Sequence, residues 1–109
     1  MKFDVEVFSD IELLEKEGIT EIEESEIAEC LARALKILRK YKGYSLKKVS
    51  EGTNIPFPTV ARYENGENTP GAVQIFKFAY FYEISLENML VLGKLENDDC
   101  EEFLEKIYN

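Results

Sequence analysis

The sequence predicts an all-α protein, and three observations carry that reading. Apolar residues from Ile27 to Tyr41 recur at helical spacing. The stretch Gly43 to Pro70, GYSLKKVSEGTNIPFPTVARYENGENTP, reads as two short helices around a tight turn, and two further apolar-faced segments, Gly71 to Tyr82 and Ser85 to Leu92, follow it. Only the N-terminal extension departs from the helical pattern.

That extension opens with Lys2-Phe3-Asp4-Val5-Glu6-Val7-Phe8, a strict alternation that suits a half-buried β-strand. A lone strand needs a neighbour. Ile19 to Ile22, the same strand of another subunit, or the sheet edge of another protein all qualify, so residues 2–8 are a candidate protein contact. Ser9 or Asp10 is placed to cap a short acidic helix over Ile11, Leu13 and Leu14, ended by Gly18. Three roles stay open for the segment: a lid on the domain, a dimer-pairing element, or a partner-binding strand. The first domain helix starts either at the capping box Thr20 to Glu23 or at Ser25. Ile27, Leu31, Ala34, Leu35, Leu38 and Tyr41 form its apolar face up to Gly43.

The next helix begins at Ser45, whose hydroxyl suits an N-cap, and turns Leu46, Val49 and Ser50 inward. Asn54 tolerates the left-handed conformation that ends it, and Pro56 forbids continuation. The Pro-Phe-Pro run then starts another helix, because its missing N–H groups cost little in a first turn, and Asn65-Gly66 closes it. In Gly71 to Tyr82 the residues Val73, Phe76, Ala79 and Tyr80 are expected to line the core, and the many aromatics there to serve packing. Ser85 caps a helix over Leu86, Met89 and Leu90. Asp98 or Asp99 starts a final helix with Cys100, Phe103, Leu104, Ile107 and Tyr108 on one face, too short to stand alone. It must dock on its own domain or across a dimer, and the dimer is the preferred expectation.

RYENG followed by Pro70, with Val49-Ser50 in the first motif helix and Thr59-Val60 in the second, resembles the phage-repressor and Cro-like helix-turn-helix family of the xenobiotic-response-element type. The resemblance spans about Leu31 to Leu92. It implies a lambda-repressor-like five-helix domain over residues 25–93, flanked by an acidic N-terminal arm over 1–24 and a short acidic C-terminal helix over 94–109. It implies an ion pair between Arg39 and Glu64, tying the first helix to the end of the recognition helix, and a final domain helix that contributes to dimerisation. It places Phe57, Pro58 and Arg62 at base edges in the major groove. Arg62 is able to read a guanine through two hydrogen bonds, and Phe57 either meets a thymine methyl or packs on the turn. Phe and Pro stand where many relatives carry Gln or Ser, which lowers polar readout. Ser45, Lys47, Lys48, Thr59, Asn65 and Asn68 are the phosphate candidates, and Glu67 works against them.

Composition bounds the alternatives. At 109 residues one domain is expected. No run of eighteen apolar residues and no secretory leader is seen, so no membrane role and a cytoplasmic location are expected. Cys30 and Cys100 are expected to act as small hydrophobes in a reducing compartment. The absence of histidine removes His-based catalysis and the commonest transition-metal ligand, and neither an enzyme nor a cofactor is expected.

Net charge is −9, unevenly spread. Residues 1–26 carry two lysines against ten acids, residues 27–94 carry ten Lys/Arg against six acids, and residues 95–109 carry one lysine against six acids. The motif region is thus the only basic part. The leading functional expectation is a transcriptional regulator that binds double-stranded DNA at a palindromic operator as a homodimer. The alternative is a protein-binding module on the same fold, an anti-repressor, antitoxin-like partner or DNA-mimicking inhibitor that uses the acidic extensions.

Overall fold

The computed structural model describes residues 24–109, which form six helices and no strand among those residues. The expected strand at residues 2–8, its pairing, the short acidic helix and the Thr20 capping box lie outside the described residues.

Helix α1 (Glu24–Lys42) buries Leu31, Ala34, Leu35 and Leu38 and ends at Gly43, whose φ of +72° is open to glycine without strain. It packs along α5 (Leu86–Lys94), and one position allows the close approach. A Cβ on Gly93 would collide with the backbone carbonyl of Cys30. Arg33 completes the joint: its Nη1 donates to the carbonyl of Gly93 at 3.0 Å and of Leu92 at 3.4 Å, and its Nη2 to Asn97 Oδ1 at 2.7 Å. The Gly93 carbonyl in the last turn of α5 thereby gains a partner, and the Leu92 carbonyl, which already accepts from the Leu95 N–H, gains a second.

Helices α2 (Leu46–Thr53) and α3 (Phe57–Glu64) follow with their punctuation as expected. Ser45 Oγ accepts from the Lys48 N–H at 3.0 Å, and Asn54 closes α2 at φ 57° and ψ 35°. Ser50 Oγ donates to the Ile55 carbonyl at 2.6 Å, pinning the turn while Ile55 is buried beneath it. Pro56 precedes α3, Pro58 occupies its first turn, and Gly66 at φ +76° ends it.

Helix α4 (Ala72–Tyr82) differs from expectation in the face it buries. Phe78 and Tyr82 are in the core, with Ile75, Ala79 and Phe81 packed against it, whereas Val73, Phe76 and Tyr80 are 64%, 71% and 81% exposed. Nine of its eleven residues are apolar, so periodicity could not choose a face. Tertiary contacts choose instead. Phe78 meets Tyr63 of α3 edge-on at 6.0 Å, and Phe81 covers Gly52 of α2 and lies 5.6 Å from the Tyr44 ring.

Helix α5 is capped by Ser85, whose Oγ accepts from the Asn88 N–H, and buries Met89 and Leu92, while Leu86 is exposed on the first turn. Helix α6 (Asn97–Tyr108) starts one residue before Asp98 and docks on its own domain. Cys100 and Leu104 are buried, with Phe103, Ile107 and Tyr108 packed on the core. Tyr108 donates its hydroxyl to the Tyr82 carbonyl, stacks on Tyr41 at 6.0 Å, and lies beneath Lys42 Nζ, 3.6 Å from its ring centroid. The apolar face of α6 is thus consumed internally, which overturns its assignment to a dimer. Tyr41 is correspondingly at the rim, exposed on one side, and not inward. Both cysteines are free thiols; Cys100 Sγ donates to the Glu96 carbonyl at 3.4 Å.

Candidate nucleic-acid interface

The two faces of α3 are chemically distinct. Val60, Tyr63 and Glu64 are buried, while Phe57, Pro58 and Arg62 are exposed and Ala61 is half-buried. At about 100° per residue the four outward positions fall within an arc of about 140°, opposite the buried side. Phe57 and Arg62 are separated along the axis by about 7.5 Å, the reach of two base steps. Arg62 is the only formal charge on this face.

Glu64 is held inward by Arg39. The Arg39 Nε donates to both carboxylate oxygens, at 3.1 and 2.9 Å, and Nη1 donates to the Tyr44 carbonyl at 3.1 Å. The contact therefore uses one guanidinium nitrogen on the carboxylate and a second on the turn after α1, not two parallel bonds. Side-chain exposures of 17% and 5% place the pair in a poorly solvated site. The hydrogen bond to Glu64 raises the Arg39 pKa further above its ordinary value. Beneath the pair, the Tyr82 hydroxyl is buried with no hydrogen-bond partner among the described residues. Burial first, then the Glu64 charge, pushes its pKa up.

The phosphate candidates lie at the start of α2, in the first turn of α3 and in the loop after it. Ser45 spends its oxygen lone pair on α2 while its proton remains able to donate outward. Lys47 and Lys48 are exposed in the first turn of α2, and Lys48 Nζ stands 5.1 Å over the Tyr44 ring. Thr59 is half-buried, its N–H donating to the Pro56 carbonyl at 2.9 Å. Asn65 and Asn68 are exposed beyond the C-terminus of α3, with exposed Glu67 between them.

Sequence reasoning missed Arg33, Gly93 and Gly52 as joints of the scaffold. Glycines inside helical patterns were the available signal for the last two, since such residues often mark close packing. No helix among the described residues is long and apolar enough to cross a membrane.

A capped helix, a pinned turn and a second helix with one polar-tipped outward face define the helix-turn-helix class, the domain type of DNA-binding regulators. Residues 35–88 match the family model described as helix-turn-helix, and over this span the chain belongs to that family, of the Cro-like, xenobiotic-response-element type. No curated protein and no solved structure matches the chain significantly.

Proposed function

We propose that the protein is a sequence-specific transcriptional regulator that reads a palindromic operator as a homodimer, with α3 in the major groove. The observation that carries this is the outward face of α3, where Phe57, Pro58 and Arg62 stand clear of a core that grips Val60, Tyr63 and Glu64. Helices α1 to α5 form the reading unit, residues 25–93, and α6 braces it. Arg62 reads guanine and Phe57 lies against a thymine methyl, while Ser45, Lys47, Lys48, Thr59, Asn65 and Asn68 fix register on the phosphates. Few cations are available, so each copy binds modestly and two half-sites about 34 Å apart supply the affinity. The acidic arm over residues 1–24 modulates this binding.

A mobility-shift titration against genomic fragments tests the reading. Discrete complexes whose affinity falls with a salt slope of several phosphates support it; no discrete shift even at low salt ends it.

One observation favours a second reading. The front of α3 is Phe57 and Pro58, exposed and apolar, and Glu67 is exposed in the loop beyond its C-terminus. A protein-binding module on the same fold would use that surface together with the acidic extensions. Stoichiometric recovery of a protein partner without DNA would select it.

A further inference from the structure

Among the described residues, the apolar stripe on α4 belongs neither to the core nor to the reading face. Val73, Phe76 and Tyr80 are the most exposed large apolar residues among the described ones, and they are spaced three and four residues apart, one side of a helix. None of them belongs to α2 or α3. Isolated apolar side chains on a surface are ordinary; a contiguous row with two aromatics marks an interaction site.

We infer that this stripe pairs with the same stripe of a second copy of the chain, α4 against α4 about a twofold axis near Phe76. The inference rests on the two-copy reading of DNA and assigns the surface that joins the copies. Charge selects the occupant. From Asn68 to Tyr82 the only formal charge is Lys77, in a chain of net −9. Two identical acidic chains repel wherever their acid-rich ends approach; residues 30–50 also lack a carboxylate but carry seven Lys/Arg, so α4 is a stretch where two copies meet with neither carboxylates nor a row of cations face to face. Spacing fits as well. In an antiparallel pair Phe76 meets Phe76, and the small Val73 meets the large Tyr80 of the second copy, twice over, which is the self-complementarity an isologous contact requires. The terminal helix α6, the other candidate, has already spent its apolar face on its own core.

Area sets the strength. Two exposed rings and a valine offer roughly 400 Å² per copy, about half of what each partner contributes to a stable complex. The copies therefore pair weakly when free and are driven together when two adjacent half-sites hold them at high effective concentration.

Sedimentation equilibrium of the full chain, up to about 1 mM protein, tests the surface, beside Phe76→Glu and Tyr80→Lys at the same concentrations. The mass is expected to climb from one chain toward two for the parent and to stay at one for both variants, with helicity and Tm unchanged because neither side chain is in the core. Phe76→Cys under mild oxidation is expected to give a covalent dimer in far higher yield than Asn68→Cys. A parent that stays single at every concentration, variants that dimerise like the parent, or equal cross-linking at positions 76 and 68 would each overturn the inference. Mobility shifts of the same proteins keep the two ideas apart. A chain that dimerises through Phe76 yet shifts no DNA removes the operator reading alone. One that shifts DNA as two copies although Phe76→Glu and Tyr80→Lys leave its mass in solution unaltered removes the α4 surface alone. One that shifts DNA only as a single copy removes both the two-copy reading and the α4 surface.

Discussion

Arg39 on α1 and Glu64 at the end of α3 share a hydrogen-bonded ion pair in which one nitrogen, Nε, serves both carboxylate oxygens at 3.1 and 2.9 Å. The remaining reach of the guanidinium goes to the Tyr44 carbonyl, so a single side chain joins α1, the turn before α2, and α3. Removing one partner leaves the other charge poorly solvated, and Arg39→Ala is expected to cost about 3–5 kcal/mol. Arg39→Met combined with Glu64→Leu should recover much of that loss, since an apolar pair of similar volume needs no desolvation. Urea unfolding at neutral pH measures both; a single-variant loss below about 1 kcal/mol would mean that water screens the pair as it does at a surface.

Gly93 sets how closely α5 approaches α1. Its would-be Cβ meets the Cys30 backbone, which cannot swing aside, so Gly93→Ala is expected to force the helices apart and cost about 1–3 kcal/mol despite a better helix propensity. Gly52→Ala is the useful contrast. There the obstacle is the half-buried ring of Phe81, which has room to turn, and a smaller loss is expected from the same urea titration.

Most of the scaffold was legible because its punctuation is local. Ser45, Asn54, Pro56 and Gly66 act through their own backbone preferences, and α2 and α3 begin and end where those residues dictate. Helix α4 was not legible in the same way. Its composition is apolar nearly all round, so its orientation depends on Tyr63, Gly52 and Tyr44, which are distant in sequence, and of the four residues expected inside, Ala79 packs on the core while Val73, Phe76 and Tyr80 face solvent. The destination of α6 was hidden for a similar reason: an amphipathic stripe announces that it must dock but not on what. Arg39 and Glu64 were read only through resemblance, because nothing local couples residues 25 positions apart.

Alkaline pH offers a test of how α6 is held. Burial first, then the Glu83 charge, pushes the Tyr108 phenol from its ordinary 10.0 up to about 12. A group whose folded pKa is raised contributes stability that is fully present below its unfolded pKa and lost as pH rises through the folded one. Stability is therefore expected to fall between pH 10 and pH 12, with the buried Tyr82 phenol, also raised, acting in the same direction. Tyr108→Phe should be less stable at pH 8, having lost the bond to the Tyr82 carbonyl, yet should show a shallower decline above pH 10. Urea midpoints at pH 8, 10 and 11 compare the two proteins, and parallel declines would show that the phenol is not the titrating group.

Base and phosphate contacts separate by the way they fail. Arg62→Ala is expected to lose about 1–3 kcal/mol of discrimination at one base pair of each half-site, whereas Lys47→Ala weakens all sequences alike and lowers the salt slope by about one. Ser45 allows a sharper separation, because its oxygen caps α2 and its hydroxyl proton stays free to donate. Ser45→Ala removes both functions and should cost about 1 kcal/mol of stability together with DNA affinity. Ser45→Asp retains an acceptor for the Lys48 N–H and suits the positive end of the helix, so the fold should keep its Tm. In the proposed complex the same carboxylate would meet the phosphate backbone, and binding in a mobility-shift titration should fall well below that of the alanine variant. If Asp and Ala bind DNA equally, Ser45 does not approach a phosphate and its role is confined to the cap.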